Sequence, residues 1–301
     1  NLASDISVNI AVSKSLLSGY DLSTVYVESE LDTYNGNNKL GTTKITLKPV
    51  EQGNYYYFTL EGLTAVQMND RIRSVLYGTK NGQLHYSPVD DYSIADYAYS
   101  QMNKDGALAK LKTLCADLLR CGTAAQIFKN YRTDALADSA MTSAHKSYLS
   151  NADTVKFGNT NTTLSDLNAP VVSWAGKSLN LESKVTVKYV CDLAAYTGSL
   201  EDLSLHVSYT NLSGETVSAV ITGAELYKPD STLYAFSFDG LLAAELRTVL
   251  SAQVYAGNTP VSVTLQYSPD TYGNNKTGNL GTLCKALFAY SDSAKAYFTA
   301  Q

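Results

Sequence analysis

The sequence predicts a mainly β protein with C-terminal helices (α+β), built from two tandem duplicated Ig-like β-sandwich domains, each closed by a helical segment. Three observations predict this fold: an internal repeat that keeps its order, period-two alternation in the front of each copy, and helical periodicity in the back. The chain has 301 residues, which is enough for two domains of ordinary size.

The internal repeat relates the front half of the chain to the back half. The matching segments are 58–63 with 236–241, Met68 with Leu246, Tyr77 with Tyr255, 86–88 with 267–269, and 113–115 with 282–284. Their order is preserved and only the spacings drift, as loop insertions would cause. We therefore expect copy one at 1–150, a linker rich in Asn, Thr, Asp and Ser at 151–170, and copy two at 171–301.

The front of each copy alternates between apolar and polar residues, which predicts half-buried strands. The run 6–12 begins this pattern in copy one, and the run 185–189 repeats it in copy two. Further strands are expected at 24–31, 42–50, 54–60, 71–79, 83–87, 202–209, 215–222, 233–238, 247–256 and 260–267. The turn pairs Asn81-Gly82 and Gly257-Asn258 each lie between two such runs and predict one hairpin per copy.

The back of each copy changes to helical spacing. Apolar residues from Leu108 to Ile127 follow one helix face in copy one, and residues from Leu280 to Phe298 do so in copy two. In copy one the sequence also predicts a short helix at 93–102 with Ser93 as its N-cap. In copy two the stretch 272–276 replaces this helix.

Four cysteines are too few for a disulfide scaffold in a chain of this length. They contain no C-x-x-C pair and are expected to be small buried hydrophobic residues, with one unassigned disulfide left open. The four are Cys115, Cys121, Cys191 and Cys284.

Several short motifs resemble modules of secreted and cell-surface proteins from gut Clostridia, especially ruminococci. These motifs are 76–82 (Leu-Tyr-Gly-Thr-Lys-Asn-Gly), 86–88 (Tyr-Ser-Pro), 92–94 (Tyr-Ser-Ile), 122–126 (Gly-Thr-Ala-Ala-Gln) and the opening Trp174-x-x-x-Ser178-Leu-Asn-Leu181. Copy two departs from the pattern because it lacks the Tyr-Ser-Ile helix and the Gly-x-Ala-Ala-Gln ending. The resemblance implies tandem sandwich domains like those of starch-adherence proteins of the ruminococcal amylosome, which bind starch.

The composition excludes several classes of function. The net charge is −5 and there is no Lys/Arg cluster, so a nucleic-acid partner is not expected. No apolar run is long enough for a membrane span. Charged residues make up only 17%, whereas Tyr (23 residues), Ser, Thr and Asn are abundant, which indicates a secreted or cell-surface protein. We also expect a monomer.

Catalytic and metal motifs are missing from the sequence, so we expect no enzyme activity and no cofactor. The chain has no nucleophile elbow, zinc motif or phosphate loop, and its three histidines do not recur between the copies. The acidic pairs Glu28/Glu30 and Asp90/Asp91 are interpreted as solvated faces or turns. Two Asn-rich loops, 32–39 and 270–276, offer oxygen ligands for Ca²⁺, but turn chemistry explains them equally well.

The aromatic residues remain as candidates for ligand binding. Side chains alternate between the two faces of a β-strand. This alternation predicts that Tyr56 points inward and that Tyr55 and Tyr57 point outward on one face. Tyr34 lies in a loop beside Asn37 and Asn38, and Trp174 is the only tryptophan. A structural packing role stays open for each aromatic candidate. The other tyrosines, namely Tyr77, Tyr86, Tyr97, Tyr255 and Tyr267, are expected to be structural.

Two functions follow as hypotheses. The first is non-catalytic binding of a polysaccharide or oligosaccharide, with an α-glucan such as starch or a malto-oligosaccharide favoured, by a gut-bacterial surface protein. The alternative is a structural spacer or protein-binding adhesin module. Both imply neighbouring modules of a larger surface protein or complex as partners.

Overall fold

A computed structural model of the chain describes residues 6–181 and 184–299. It is mainly β, with several antiparallel sheets and a C-terminal helix. The chain divides into two compact units, 1–150 and 151–301.

The first unit contains a three-stranded sheet and a five-stranded sheet, followed by helices. Its elements are β1 (Ile6–Ser13), β2 (Tyr20–Asn35), β3 (Asn38–Leu47), β4 (Val50–Gln52), β5 (Tyr55–Leu63), β6 (Ile72–Lys80), β7 (Gln83–Tyr86), β8 (Asp90–Tyr92), α1 (Ile94–Asn103), α2 (Ala109–Lys129) and α3 (Ser143–Lys146). The smaller sheet has the order β1-β5-β4, and the larger has β3-β2-β6-β7 with β8 also paired to β6.

Alternation along the strands builds the core of the first unit. On β2, Val25, Val27, Ser29 and Leu31 are buried, whereas the alternate residues Tyr26, Glu28 and Glu30 are half-buried on the other face. Phe58 and Leu60 of β5 are buried as the repeat predicted. The hairpin predicted at Asn81-Gly82 is confirmed: it joins β6 to β7, and both residues have positive φ.

The two long helices of the first unit follow the predicted segments. Ser93 caps α1, since its Oγ accepts a hydrogen bond from the Asp96 amide at 3.1 Å. The middle of helix α2 is buried on all sides, since the six consecutive residues from Leu114 to Leu119 are all buried. Gly122 permits close packing there, because a Cβ at this position would lie 2.5 Å from the Met68 sulfur. The helix therefore covers the short 3-10 turn Ala65–Gln67, which follows β5.

The second unit pairs strands in a similar order. Its elements are β9 (Asn161–Thr163), β10 (Ser173–Leu181), β11 (Val185–Asp192), β12 (Leu203–Thr210), β13 (Thr216–Thr222), β14 (Glu225–Leu226), β15 (Leu233–Phe238), β16 (Leu250–Ala256), β17 (Thr259–Pro260), β18 (Leu265–Tyr267) and α4 (Gly278–Phe298). One sheet has the order β10-β11-β15-β14, and the other has β13-β12-β16-β18-β9 with β17 also paired to β16.

The stretch 151–170, expected to be a linker, forms part of the second unit. Its strand β9 pairs with β18, and the ring of Phe157 contacts that of Phe288 edge-on, with centroids 5.7 Å apart. The Gly158 amide donates a hydrogen bond to the Asp270 carboxylate at 3.0 Å. These contacts tie part of the stretch to the second unit.

All four cysteines are buried and free. Burial raises the pKa of the Cys115, Cys121 and Cys191 thiols to about 12. Such thiols are mostly protonated and unreactive at neutral pH, which fits the predicted role as small apolar side chains.

Candidate ligand-binding surface

Trp174 is engaged in packing within the second unit. Its indole Nε1 donates a hydrogen bond to the carbonyl of Val263 at 2.9 Å. Its ring also lies 6.0 Å from that of the fully buried Tyr189. These contacts fix the half-buried Trp174 ring on the strands. They agree with the structural packing role that the sequence left open for this residue.

The predicted loop site around Tyr34 is docked on the end of α2. The Arg132 guanidinium lies 4.3 Å from the centre of the Tyr34 ring, so it occupies one ring face. The Arg132 amide donates to the Gly36 carbonyl at 3.0 Å, and the Thr133 hydroxyl donates to the Asn37 side chain at 3.3 Å. Most of this loop is therefore held by protein contacts.

A buried carboxylate fixes the same helix end. Asp70 accepts hydrogen bonds from the Tyr131 hydroxyl at 2.5 Å and from Arg132 Nη1 at 3.0 Å. Burial raises the pKa of Asp70, and the contacts with Tyr131 and Arg132 counter that effect only in part. We interpret this cluster as the anchor of the β2–β3 hairpin. Tyr34 lies within β2 rather than in the loop expected from the sequence, and Asn38 pairs with Asn35 across the turn and stays exposed.

Tyr55 and Tyr57 share the predicted face of β5. Their ring centroids are 6.2 Å apart, and Tyr55 is 45% exposed while Tyr57 is half-buried. They lie on the three-stranded sheet, whereas Tyr34, Asn37 and Asn38 belong to the hairpin of the larger sheet. The predicted site residues thus belong to separate places in the fold, with Trp174 in the other unit.

A row of three tyrosines crosses the larger sheet of the first unit. Tyr26 on β2 pairs with Tyr77 on β6, and Tyr77 pairs with Tyr86 on β7. The first two rings stack at 5.0 Å with 15° between their planes, and the second pair is tilted at 6.3 Å. Tyr86 is 74% exposed, although it lies on β7 and packs against Tyr77, and the structural role expected for it stays a prediction. We call these three residues the tyrosine row.

Charged side chains that neutralise one another surround the tyrosine row. The Lys48 ammonium lies 5.6 Å from the Tyr26 ring centre, at the β3 end of the row. Lys44 bridges Glu28 and Glu30 at 2.9 and 3.0 Å. Its hydrogen bond is the main reason that the pKa of Glu30 is lowered. The surface beside the row therefore offers polar groups without a strong net charge.

The second unit lacks this row at the same register. There Ser204 on β12 pairs with Tyr255 on β16, and Tyr255 pairs with Pro260 on β17. Only the middle tyrosine is present, and its face is covered by the His206 ring at 4.1 Å. Since the two units share this strand order, the row is a specific property of the first unit.

Sequence reasoning missed the row although one part of it was visible. Tyr26 lies between Val25 and Val27, so alternation alone predicts that it faces outward. Tyr77 and Tyr86 lie beside Tyr26 only because three strands pair in a particular register. Local periodicity does not predict that register.

The two Asn-rich loops considered for Ca²⁺ place their carboxylates among protein donors. Asp32 accepts from Arg73 at 2.7 Å, from Lys39 at 2.8 Å and from Thr42 at 2.8 Å. Asp270 is bound by Arg247, Ser268 and Gly158. Hydrogen bonds and ion pairs within the protein therefore satisfy both carboxylates. Within residues 6–181 and 184–299, no group of three His, Cys, Asp or Glu side chains is arranged to hold a metal ion.

The remaining acidic and histidine candidates have local partners. Asp91 pairs with Arg71 at 2.8 Å, and His85 contacts the Tyr20 ring edge-on at 5.8 Å. His145 is buried, with its Nε2 2.8 Å from the Asn103 side-chain oxygen. Each of these three side chains thus has a structural partner within the protein.

Comparison of the chain with protein-family models, curated proteins and solved structures finds no match. In the part of the chain that the structure describes, no helix has both the length and the apolar character needed to cross a membrane.

Proposed function

We propose that this protein binds a polysaccharide chain without cleaving it, and that the tyrosine row of the first unit is the contact surface. The observation that carries the proposal is the row itself: three tyrosines in register on neighbouring strands, ending in the highly exposed Tyr86. Tyr86 is the exposed end of the row, and the half-buried Tyr26 and Tyr77 stack on each other beside it, so the row offers one open aromatic ring backed by two others.

The chemistry of tyrosine suits this role. A sugar ring has apolar C–H faces and polar hydroxyls at its rim, and tyrosine offers an apolar ring with a hydroxyl that tolerates water. The row spans two strand spacings, about 10 Å, so it extends beyond a single sugar ring. Lys48 and Glu28 at its border supply a hydrogen-bond donor and an acceptor for the hydroxyls.

An α-glucan is the proposed ligand class, in a secreted or cell-surface protein of a gut bacterium. The support is the resemblance of motifs such as 76–82 and 86–88 to modules of that group, together with the low content of charged residues. The balanced charges beside the row agree with an uncharged sugar.

We further propose that each unit is an Ig-like sandwich and that the two arose by duplication. The support is the common order of strand pairing: β1-β5-β4 with β3-β2-β6 in the first unit, and β11-β15-β14 with β13-β12-β16 in the second. Phe58 and Phe236 are both fully buried at matching places, and each unit packs a 21-residue helix, α2 or α4, against a 3-10 turn.

Tyr86→Ala tests the proposed site. Losing a tyrosine that stacks on a sugar costs about 2 kcal/mol, so we expect roughly 30-fold weaker binding. The measurement is migration in native gels containing amylopectin, followed by calorimetric titration with maltoheptaose. The matched control is Tyr227→Ala, since Tyr227 is a 49% exposed tyrosine of the second unit outside the row.

Two results would contradict the proposal. Equal binding by the parent chain and the Tyr86→Ala variant would remove the row from the contact surface. No binding of any soluble glucan, xylan or mannan by the parent chain would favour the alternative function, a spacer or protein-binding adhesin module.

A further inference from the structure

Three exposed apolar side chains follow the end strand of the larger sheet and meet the tyrosine row at Tyr86. Leu84, Tyr86 and Val89 are 61%, 74% and 61% exposed, and they lie within six consecutive residues on β7 and in its connection to β8. We call these three residues the edge stripe. Single exposed apolar residues are common on protein surfaces, whereas several together mark an interaction site.

The strand geometry places Leu84 and Tyr86 on the same face of the sheet. Alternate residues of a strand share a face and lie about 7 Å apart. His85, between them, contacts the Tyr20 ring on the opposite face. The two exposed side chains are therefore neighbours along β7, and Val89 continues the edge stripe beyond the end of that strand.

The rings of the tyrosine row leave one aromatic face open for a ligand. Tyr26 has the Lys48 ammonium at 5.6 Å on one side and the stacked Tyr77 ring at 5.0 Å on the other. Tyr77 lies between Tyr26 and Tyr86. The open ring face is that of Tyr86, at the end of the row, so further apolar contacts for a ligand lie along β7 rather than across the sheet.

We infer that a bound sugar chain lies along the edge stripe, with one sugar unit on the open face of Tyr86 and its two neighbours against Leu84 and Val89. This inference rests on the proposed function and adds two residues to that same site. Aliphatic side chains cover the apolar C–H face of a sugar and leave its hydroxyls free for water or for polar groups beside the row. The site would then recognise a chain of several units rather than a single sugar.

The test makes both ends of the edge stripe polar in the full chain. We expect Leu84→Asn/Val89→Asn to weaken the binding of maltoheptaose by about tenfold, because two apolar side chains no longer leave water on binding. Affinity for maltose, which is too short to contact both ends, should fall by less than about threefold. Calorimetric titration measures both affinities, and an unchanged thermal midpoint shows that the variant is folded.

The matched control replaces the same residue types at exposed positions of the second unit. Val220→Asn/Leu226→Asn changes a valine that is 61% exposed and a leucine that is 53% exposed. These residues lie on β13 and β14, outside the proposed site, so this variant should bind maltoheptaose as the parent chain does.

The outcomes separate this inference from the proposed function. Full affinity of the Leu84→Asn/Val89→Asn variant for maltoheptaose, together with weak binding by Tyr86→Ala, would overturn the inference and leave the tyrosine row as the site. No glycan binding by the parent chain would overturn both. Self-association of the parent chain that this double variant abolishes would also overturn the inference, because the edge stripe would then contact a second copy.

Discussion

At the scale of single residues, the most informative side chains are those whose partners lie far away in sequence. Alternation correctly predicts that Tyr55 and Tyr57 share a face, because only the local strand matters. It does not predict that Arg132 covers Tyr34, since that contact joins a hairpin to the end of a helix. A candidate aromatic residue beside a turn, such as Tyr34, therefore requires the tertiary structure before it is assigned to a ligand.

Asp32 gives a pH-dependent prediction. Its hydrogen bond from Arg73 holds the pKa of this carboxyl well below its ordinary value in the folded state. A lowered pKa stabilises the fold above the unfolded pKa of about 4, and that contribution is lost as the pH falls through the folded pKa. Asp32→Asn should lower the free energy of unfolding of the first unit by about 2 kcal/mol at pH 6.

The measurement is hydrogen exchange of peptides from β2 between pH 6 and pH 3, with exchange rates corrected for the intrinsic pH effect. The variant should lose less stability than the parent over the acidic part of this range. Asp105→Asn, at an exposed position, is the control. It should change neither the free energy of unfolding at pH 6 nor the loss of stability at acidic pH. Equal acid sensitivity in the parent and the Asp32→Asn variant would exclude Asp32 as a contributor.

At the scale of elements, the sequence predicts most strands and both long helices of the first unit. Period two and helical spacing are local signals, and Ser93 marks the start of α1 as expected. The short strand β9 and the edge strand β10 are not predicted, because pairing with β18 and β11 stabilises them rather than their own pattern. The tyrosine row belongs to the same class of feature, since it exists only in the paired sheet.

The pairing of β2 with β6 contains a buried polar contact that the second unit replaces with apolar residues. The hydroxyls of Ser29 and Ser74 are 2.8 Å apart on opposite strands. Val207 and Ala252 hold the same place between β12 and β16. Ser29→Val alone should cost about 1–2 kcal/mol, because it leaves the buried Ser74 hydroxyl without this partner.

The double variant Ser29→Val/Ser74→Ala should recover most of that loss. Replacing both partners by apolar groups is nearly neutral, and the pair is then the one that the second unit already uses. Urea unfolding of the parent, both single variants and the double variant gives the coupling energy directly. Strictly additive losses would mean that the two hydroxyls do not depend on each other.

At the scale of the whole molecule, the two units share an order of strand pairing but differ in their surfaces. The first unit carries the tyrosine row with Lys44, Glu28 and Glu30 beside it, whereas the second has Ser204, His206 and Pro260 at the matching places. A common framework with one altered face is the pattern expected when function depends on a surface and stability depends on the core. We therefore expect one glycan site per chain.

A graft onto the second unit tests that expectation. The variant Ser204→Tyr/His206→Glu/Pro260→Tyr places tyrosines on both sides of Tyr255 and removes the imidazole that covers its ring. If the row is the binding surface, the parent chain should bind one maltoheptaose and the graft should bind two. Calorimetric titration measures this stoichiometry directly.

His206→Glu alone is the matched control, because it uncovers Tyr255 without completing a row, and it should still bind one ligand. Trp174 is the only tryptophan and lies in the second unit, so its fluorescence shows whether that unit stays folded in each variant. A folded graft that binds only one ligand would mean that three tyrosines in register are not sufficient. The binding surface would then have to include charged neighbours of the first unit, such as Lys48, which the graft does not carry over.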